Sequence, residues 1–341
     1  MMTAKAAATL STSMSAKAVV AFATLALSGC GRYADFTLPA LNGSASPRVT
    51  LKLQPDPVMG PGQWDSSDVL NPSIVARDGR LWNFYSGFDG SVWHTGVATS
   101  NDGTHWERRG KVLSAENGRW DRGYIAANGS ALWRNGEFWY WYQAGERGSV
   151  MRIGLARSPD AVQFHRESQP VLDVGPYQSW DERAVADPYV IETGGWLFMY
   201  YLGQDRAARQ RIGVARSRNG VSWEKLRSNP ILDIADPGTG GMDENGAGEP
   251  AVFVWNGHYW MLITGRDAKE HRRLAAFWSN DGIHWTRQQG SFAGDQDWDR
   301  AVLCDPTVLV ERDRVRVWYG GGDLPKSDER IHGQIGVGVL Q

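Results

Sequence analysis

Apolar and polar positions follow two short patterns that alternate five times along the chain. The first opens with an acidic or amide residue, usually followed by Pro, and runs on as an apolar strand. Its copies are Asn71-Pro72-Ser-Ile-Val, Asn128-Gly129-Ser-Ala-Leu, Asp187-Pro188-Tyr-Val-Ile, Glu249-Pro250-Ala-Val-Phe and Asp305-Pro306-Thr-Val-Leu. Each continues through a turn into an aromatic strand, as in Leu81-Trp-Asn-Phe-Tyr85 and Phe138-Trp-Tyr-Trp-Tyr142. Asp78-Gly79, Asn135-Gly136, Gly194-Gly195 and Asn256-Gly257 mark those turns as hairpins, because they supply the positive φ angles a tight hairpin needs. The second pattern is a small-residue strand, a turn and an aromatic. It begins at Gly96, Gly154, Gly213 and Ala275, and Ile335–Leu340 is a final half-copy.

The opening residues are 57, 59, 62 and 56 positions apart. A repeat of that length holding four strands is the signature of a propeller. The chain is therefore expected to be all-β: a five-bladed β-propeller over residues 48–341, with four-stranded antiparallel blades around a central channel. First strands are expected near 72–77, 129–134, 188–193, 250–255 and 306–311. Blade five reaches Gln341 one strand short, and Val49–Gln54 is expected to supply the missing strand, since closure removes an unpaired edge. Most of the aromatics recur at equivalent places and belong to blade packing. Trp64, Trp120, Trp180 and Trp298, each followed by Asp, recur before four opening residues and read as loop braces in which the Asp caps a turn.

Composition agrees with a packed all-β chain that meets sugars. Of 341 residues, 42% are hydrophobic and 22% charged, with 40 Gly, 17 Trp and 11 Tyr. The formal charge of −2 gives no basic field to hold nucleic acid or an anionic membrane. Two cysteines exclude a disulfide framework, and a monomer is expected.

The N-terminus reads as a targeting segment. Lys5 and Lys17 are the only charges in the first 29 residues, and the apolar run Ala18–Leu27 is too short for a membrane-spanning helix. Leu27-Ser28-Gly29-Cys30 resembles the bacterial lipobox. That resemblance implies a signal peptide over 1–29, lipidation of Cys30, and a membrane partner reached through the lipid alone. Residues 30–47 are then a tether, and the location is the cell envelope: the outer membrane or periplasmic face of a two-membrane bacterium.

The candidate chemistry lies in the opening residues. First strands of a propeller line its channel, so Asn71, Asn128, Asp187, Glu249 and Asp305 are expected to form one ring. Three adjacent carboxylates repel, and one should hold its proton to higher pH. A protonated acid beside an ionised carboxylate is what glycosidic cleavage needs. Asp and Asn before Pro are also turn formers, which accounts for Asn71 and Asp305 better than for Glu249.

The five units and their acidic openings resemble the five-bladed propeller glycoside hydrolases of families 43, 32 and 68. Arg183-Ala-Val-Ala-Asp187-Pro188 and Gly248-Glu249-Pro250 are similar to that superfamily's blade-three and blade-four motifs. The resemblance implies Glu249 as general acid and Asp187 as the residue that tunes it or orients the sugar. It also implies a blade-one carboxylate, where this chain has Asn71, an amide that is neither base nor nucleophile. Asp68, which has no counterpart in other blades, and Asp305 are the candidate replacements. Asn71, Asn128, Arg183 and Arg300 are expected to bind substrate. No metal-ligand spacing stands out, and neither metal nor cofactor is expected. Hydrolysis of a glycan is the first expectation. A non-catalytic glycan-binding lipoprotein and a phosphorylase or transglycosidase are the alternatives; for the phosphorylase, the basic run Arg266, Lys269, His271, Arg272, Arg273 would hold phosphate. Ser100–Trp106 and Ser279–Trp285 come near the Asp-box of sialidase propellers, one residue short of its usual spacing.

Overall fold

A computed structural model describes residues 32–43, 47–116, 119–327 and 329–341. The expected signal peptide and Cys30 lie outside the described residues. All regular structure described is β-strand. Blade one comprises strands Asp68–Arg77, Arg80–Phe88, Trp93–Ser100 and Glu107–Leu113; blade two comprises Ile125–Arg134, Glu137–Gly145, Arg152–Ser158 and His165–Arg166. Blade three comprises Ala184–Thr193, Trp196–Gln204, Gln210–Ser217 and Glu224–Leu226; blade four comprises Gly246–Trp255, His258–Arg266, Arg272–Ser279 and Thr286–Arg287. In each blade, sequential strands pair antiparallel. Blade five has Val302–Val310, Val315–Gly322 and Gln334–Leu340, and Leu51–Leu53 pairs antiparallel with the last of these. Each first strand packs against the next, and the fifth against the first, so the ring closes.

The first strands start earlier than the pattern suggested. The opening residue and the one after it sit inside the strand at a register shift, for instance between Leu70 and Ser73 or between Gly248 and Ala251. Pairing continues on both sides, so the position is a β-bulge rather than a strand start. All five opening residues have positive φ: 47° at Asn71, 48° at Asn128, 44° at Asp187, 53° at Glu249 and 51° at Asp305. Asn and Asp tolerate that region through local side-chain hydrogen bonds, whereas Glu has no such help.

The Trp-Asp pairs brace the blades by a route the sequence did not show. Trp64, Trp120, Trp180 and Trp298 pack on Tyr85, Tyr142, Tyr201 and Tyr319 of the second strands. The following Asp is buried, and in blades two, three and five it accepts from that Tyr hydroxyl. The facing glycine of the third strand makes room: a Cβ on Gly154 would lie 2.7 Å from Tyr142 and 2.8 Å from Trp120. Blade four has Met242, Ile263 and Ala275 at these three places, so the larger facing residue appears where the stack is absent.

The reading of 30–47 as a tether is corrected for residues 32–43. Arg32–Ala34 adds a parallel fifth strand to blade three beside Glu224–Leu226. Leu38 is buried against Phe198 and Tyr200, with Phe36 and Leu41 packed on the same cluster. Apolar side chains at 36, 38 and 41 give the segment a face to bury, which a solvated tether lacks.

Candidate active site

The five bulges aim their side chains at the axis. Asn71, Asn128, Asp187, Glu249 and Asp305 line one cavity of about 290 Å³, and with the residues after them they ring a narrower channel at its floor. The cavity opens at the end of the blades where first strands begin and second strands end. Asn71 Nδ2 donates to Asp305 Oδ1 at 2.6 Å, and Asn128 Nδ2 donates to Asp187 Oδ1 at 3.1 Å. Asn128 is held in turn by Ser86, whose hydroxyl donates to its Oδ1 at 2.8 Å. The blade-one amide therefore acts as a donor to the blade-five carboxyl.

Asp305 is the electrostatic centre. It is 6% exposed. Burial, then the negative charges of Glu249 and Asp187, push its carboxyl well above the ordinary range. Its backbone N–H donates to Glu249 Oε2 at 3.0 Å, and the two side chains hydrogen-bond. Behind them the buried Cys304 thiol donates to Asp305 Oδ2 at 3.1 Å, and burial with Asp305 beside it pushes that thiol up as well. Oxygen and sulfur atoms of Glu249, Cys304 and Asp305 converge within 4.8 Å. Burial favours the protonated form of both the Cys304 thiol and the Asp305 carboxyl in this cluster.

This arrangement gives stability a pH dependence with a defined sign. The folded value of Asp305 lies above its unfolded value, so the unfolded chain releases this proton first as pH rises. Its contribution is intact below the ordinary carboxylate range and is lost as pH climbs towards the raised value. Asp305→Asn is expected to remove that loss, so that urea midpoints of the variant gain on the parent between acid and neutral pH. A parallel pair of pH–stability curves would contradict this.

Two candidates stand elsewhere. Asp68 does not line the cavity and is fully buried. Its oxygens accept from the backbone N–H groups of Arg330 (2.6 Å), Ile331 (3.0 Å) and Gly333 (2.8 Å), pinning the connection before the last strand of blade five. With its lone pairs occupied in this way, Asp68 is not a base for water. Arg300 is also outside the cavity: it is exposed and pairs with Asp297 at 3.1 Å. Arg183 lines the cavity and donates to Gly148 O at 3.2 Å. Of the basic run, Arg266 and Arg272 line the cavity, Lys269 and Arg273 are exposed away from it, and His271 pairs with Asp267.

The structure adds walls that, Arg272 apart, the sequence reading missed. Trp93, Met151, Gln210 and Arg272 occupy one position, three residues before the small residue of each third strand, and all four line the cavity. A variable residue at a fixed place in the repeat was the available signal. Trp93 Nε1 donates to the Tyr124 hydroxyl (3.1 Å), which donates to Glu329 (2.6 Å). Arg147 lies 4.0 Å over the Tyr124 ring and pairs with Glu329 at 2.7 Å. One wall is thus aromatic, and the opposite wall, with Gln204, Gln210 and Arg266, is polar.

Residues 73–314 match the model of the glycosyl hydrolases family 32 N-terminal domain. The chain belongs to that family. It has similarity to an uncharacterised protein of Mycobacterium tuberculosis, 30% identical over 181 residues, covering 50% of this chain and 56% of the relative. It is also 30% identical over 183 residues to a 1,2-beta-oligomannan phosphorylase of Thermoanaerobacter sp. strain X514, covering 50% of this chain and 54% of the relative. The chain spans about half the length of these curated relatives. Among solved structures it resembles a glycosyl hydrolase from Bacteroides ovatus, with TM-score 0.66, 17% identity and coverage of 89% and 96%. It also resembles a structure of the family of mannoside phosphorylases that contains glycoside hydrolases targeting beta-1,2 mannosidic linkages in Candida mannan, with TM-score 0.66, 16% identity and coverage of 88% and 96%. A family 117 glycoside hydrolase of Zobellia galactanivorans follows at TM-score 0.61, 14% identity and 90% of each chain. The fold of this family 32 domain is the propeller of glycoside hydrolases and phosphorylases.

Proposed function

We propose that the protein cleaves a glycosidic bond by acid catalysis from the Glu249–Asp305 pair, and that it does so in the cell envelope, held by a lipid on Cys30. The observation that carries the reading is the convergence of Asp187, Glu249 and Asp305 in one cavity, with burial and two neighbouring carboxylates keeping a proton on Asp305. Asp305 is the deeper group. Glu249 is half-buried and presents the proton to the sugar. As the glycosidic C–O bond breaks, that proton moves to the departing oxygen. Asp187, steadied by Asn128, is placed to orient a hydroxyl or to accept a proton from attacking water.

A second reading has a specific basis. Asn71 supplies no blade-one base, and inorganic phosphate needs none because it carries its own negative charge. Four guanidinium groups, of Arg147, Arg183, Arg266 and Arg272, line the cavity that phosphate would enter, and a relative is named as a 1,2-beta-oligomannan phosphorylase. Incubating the protein with β-1,2-linked mannooligosaccharides and a panel of nitrophenyl glycosides, with and without phosphate, separates the two. Free reducing sugar independent of phosphate supports hydrolysis, and a phosphate-dependent sugar phosphate supports phosphorolysis. Binding without cleavage of any substrate overturns the enzymatic reading.

A further inference from the structure

Each blade has two ends. The cavity opens at one of them. The other carries the hairpins, such as Gly194-Gly195 and Asn256-Gly257, and the turns after the third strands, which include Asp160, Asn219 and Asp281. Residues 32–43 lie at this hairpin end. Arg32 pairs with Glu224, the first strand residue after the Asn219 turn. Leu38 N–H donates to Asp281 O at 2.9 Å, and Leu41 N–H donates to Asn280 O at 2.8 Å. Pro39 approaches Gly194 so closely that a Cβ there would lie 2.8 Å from its ring, and a Cβ on Gly257 would lie 3.0 Å from Gly43.

The exposed apolar side chains favour the same end. Val254 and Val310 close the first strands of blades four and five there, at 44% and 41% exposure, and Val162 in the Asp160 turn is 60% exposed. Among the described large hydrophobics that are exposed, Tyr177 is the one in a connection at the cavity end.

We infer that the docked segment 32–43 sets the protein's orientation on a membrane, with the hairpin end facing the lipid surface and the cavity mouth facing away. This rests on the reading of Cys30 as lipid-modified. In that modification the Cys30 Sγ–C bond forms as the C–O bond to a phospholipid's phosphate headgroup breaks. The thiol proton leaves with the phosphate, and water then cleaves the Gly29–Cys30 peptide bond. Cys30 precedes Arg32 by two residues, a reach of about 7 Å even when fully extended. The segment that follows is packed, so it has no slack to pay out. A thioether-linked diacylglyceryl group therefore holds the hairpin end of blade three close to the headgroups.

The test uses the full chain, made in a bacterial host that lipidates its lipoproteins and reconstituted in phosphatidylethanolamine–phosphatidylglycerol vesicles containing spin-labelled lipid. An environment-sensitive fluorophore is placed at His284→Cys on the hairpin end or Asp297→Cys at the cavity end, side chains that are 84% and 99% exposed. Cys304 is fully buried and stays unlabelled. The expected result is loss of fluorescence at 284 with the signal at 297 kept. Equal quenching at both positions, or quenching confined to 297, overturns the orientation. Mass spectrometry of the mature N-terminus decides the premise separately: a chain with no lipid on Cys30 also overturns it. Neither readout depends on glycan cleavage, so failure here is distinct from failure of the proposed activity.

Discussion

Glu249→Gln is expected to lower cleavage of a responsive glycoside by about 10²–10⁴-fold, the usual contribution of a positioned general acid. The amide keeps the length of the side chain and can still accept the Asp305 N–H that now meets Oε2 at 3.0 Å, so the bulge keeps its shape. It cannot deliver a proton. Glycan binding should therefore persist within a few-fold of the parent while turnover falls, and a substrate with a good leaving group, which needs little protonation, should lose the least. The decisive measurement is kcat beside binding affinity for the same sugar. Parent-level kcat in the variant would remove Glu249 from the mechanism.

The largest stability effect is expected from Asp181→Ala. The Lys225 ammonium lies 2.6 Å from Asp181 Oδ2, with the two side chains 5% and 2% exposed. Tyr201 and Ser179 also donate to that carboxylate. Burial already pulls the Lys225 amine below its ordinary value, against the opposing pull of Asp181. Removing Asp181 leaves a buried charge without its counter-ion, which costs about 3–5 kcal/mol. An amine whose folded value is depressed binds its proton more readily when unfolded, so the deficit should be greatest at low pH and shrink as pH rises. Urea titrations at several pH values check both parts. Asp181→Ala combined with Lys225→Met should recover most of the loss, because the pair is then replaced as a unit; a double variant no better than the single one would contradict this account.

The ring was legible because a propeller repeats its chemistry at a fixed interval. The period of the opening residues, the hairpin dipeptides and the aromatic second strands all carry local information, and they placed Asp187, Glu249 and Asp305 around one axis. Other features depend on partners far along the chain. Asp68 looks like a free carboxylate until Arg330, Ile331 and Gly333 are brought over it by ring closure. Polar residues in 31–47 suggested a tether, yet Phe36, Leu38 and Leu41 find a surface that exists only once blades three and four are assembled. Arg300 precedes blade five in sequence, but its connection leads it outwards to Asp297. The proton-holding role of Asp305 depends on burial and on carboxylates from blades three and four, neither of which its own segment encodes.

The five left-handed bulges make the ring a set of interchangeable sockets. Each holds its residue by backbone geometry that is nearly the same whether the occupant is Asn, Asp or Glu, with φ between 44° and 53° throughout. Side-chain identity at the axis is thereby separated from the shape of the blade that carries it. A combinatorial library restricted to positions 71, 128, 187, 249 and 305 would vary charge, proton affinity and reach around the axis on one fixed scaffold. New reactivity in such a family can then arise by exchanging occupants among sockets, with the blades themselves left alone.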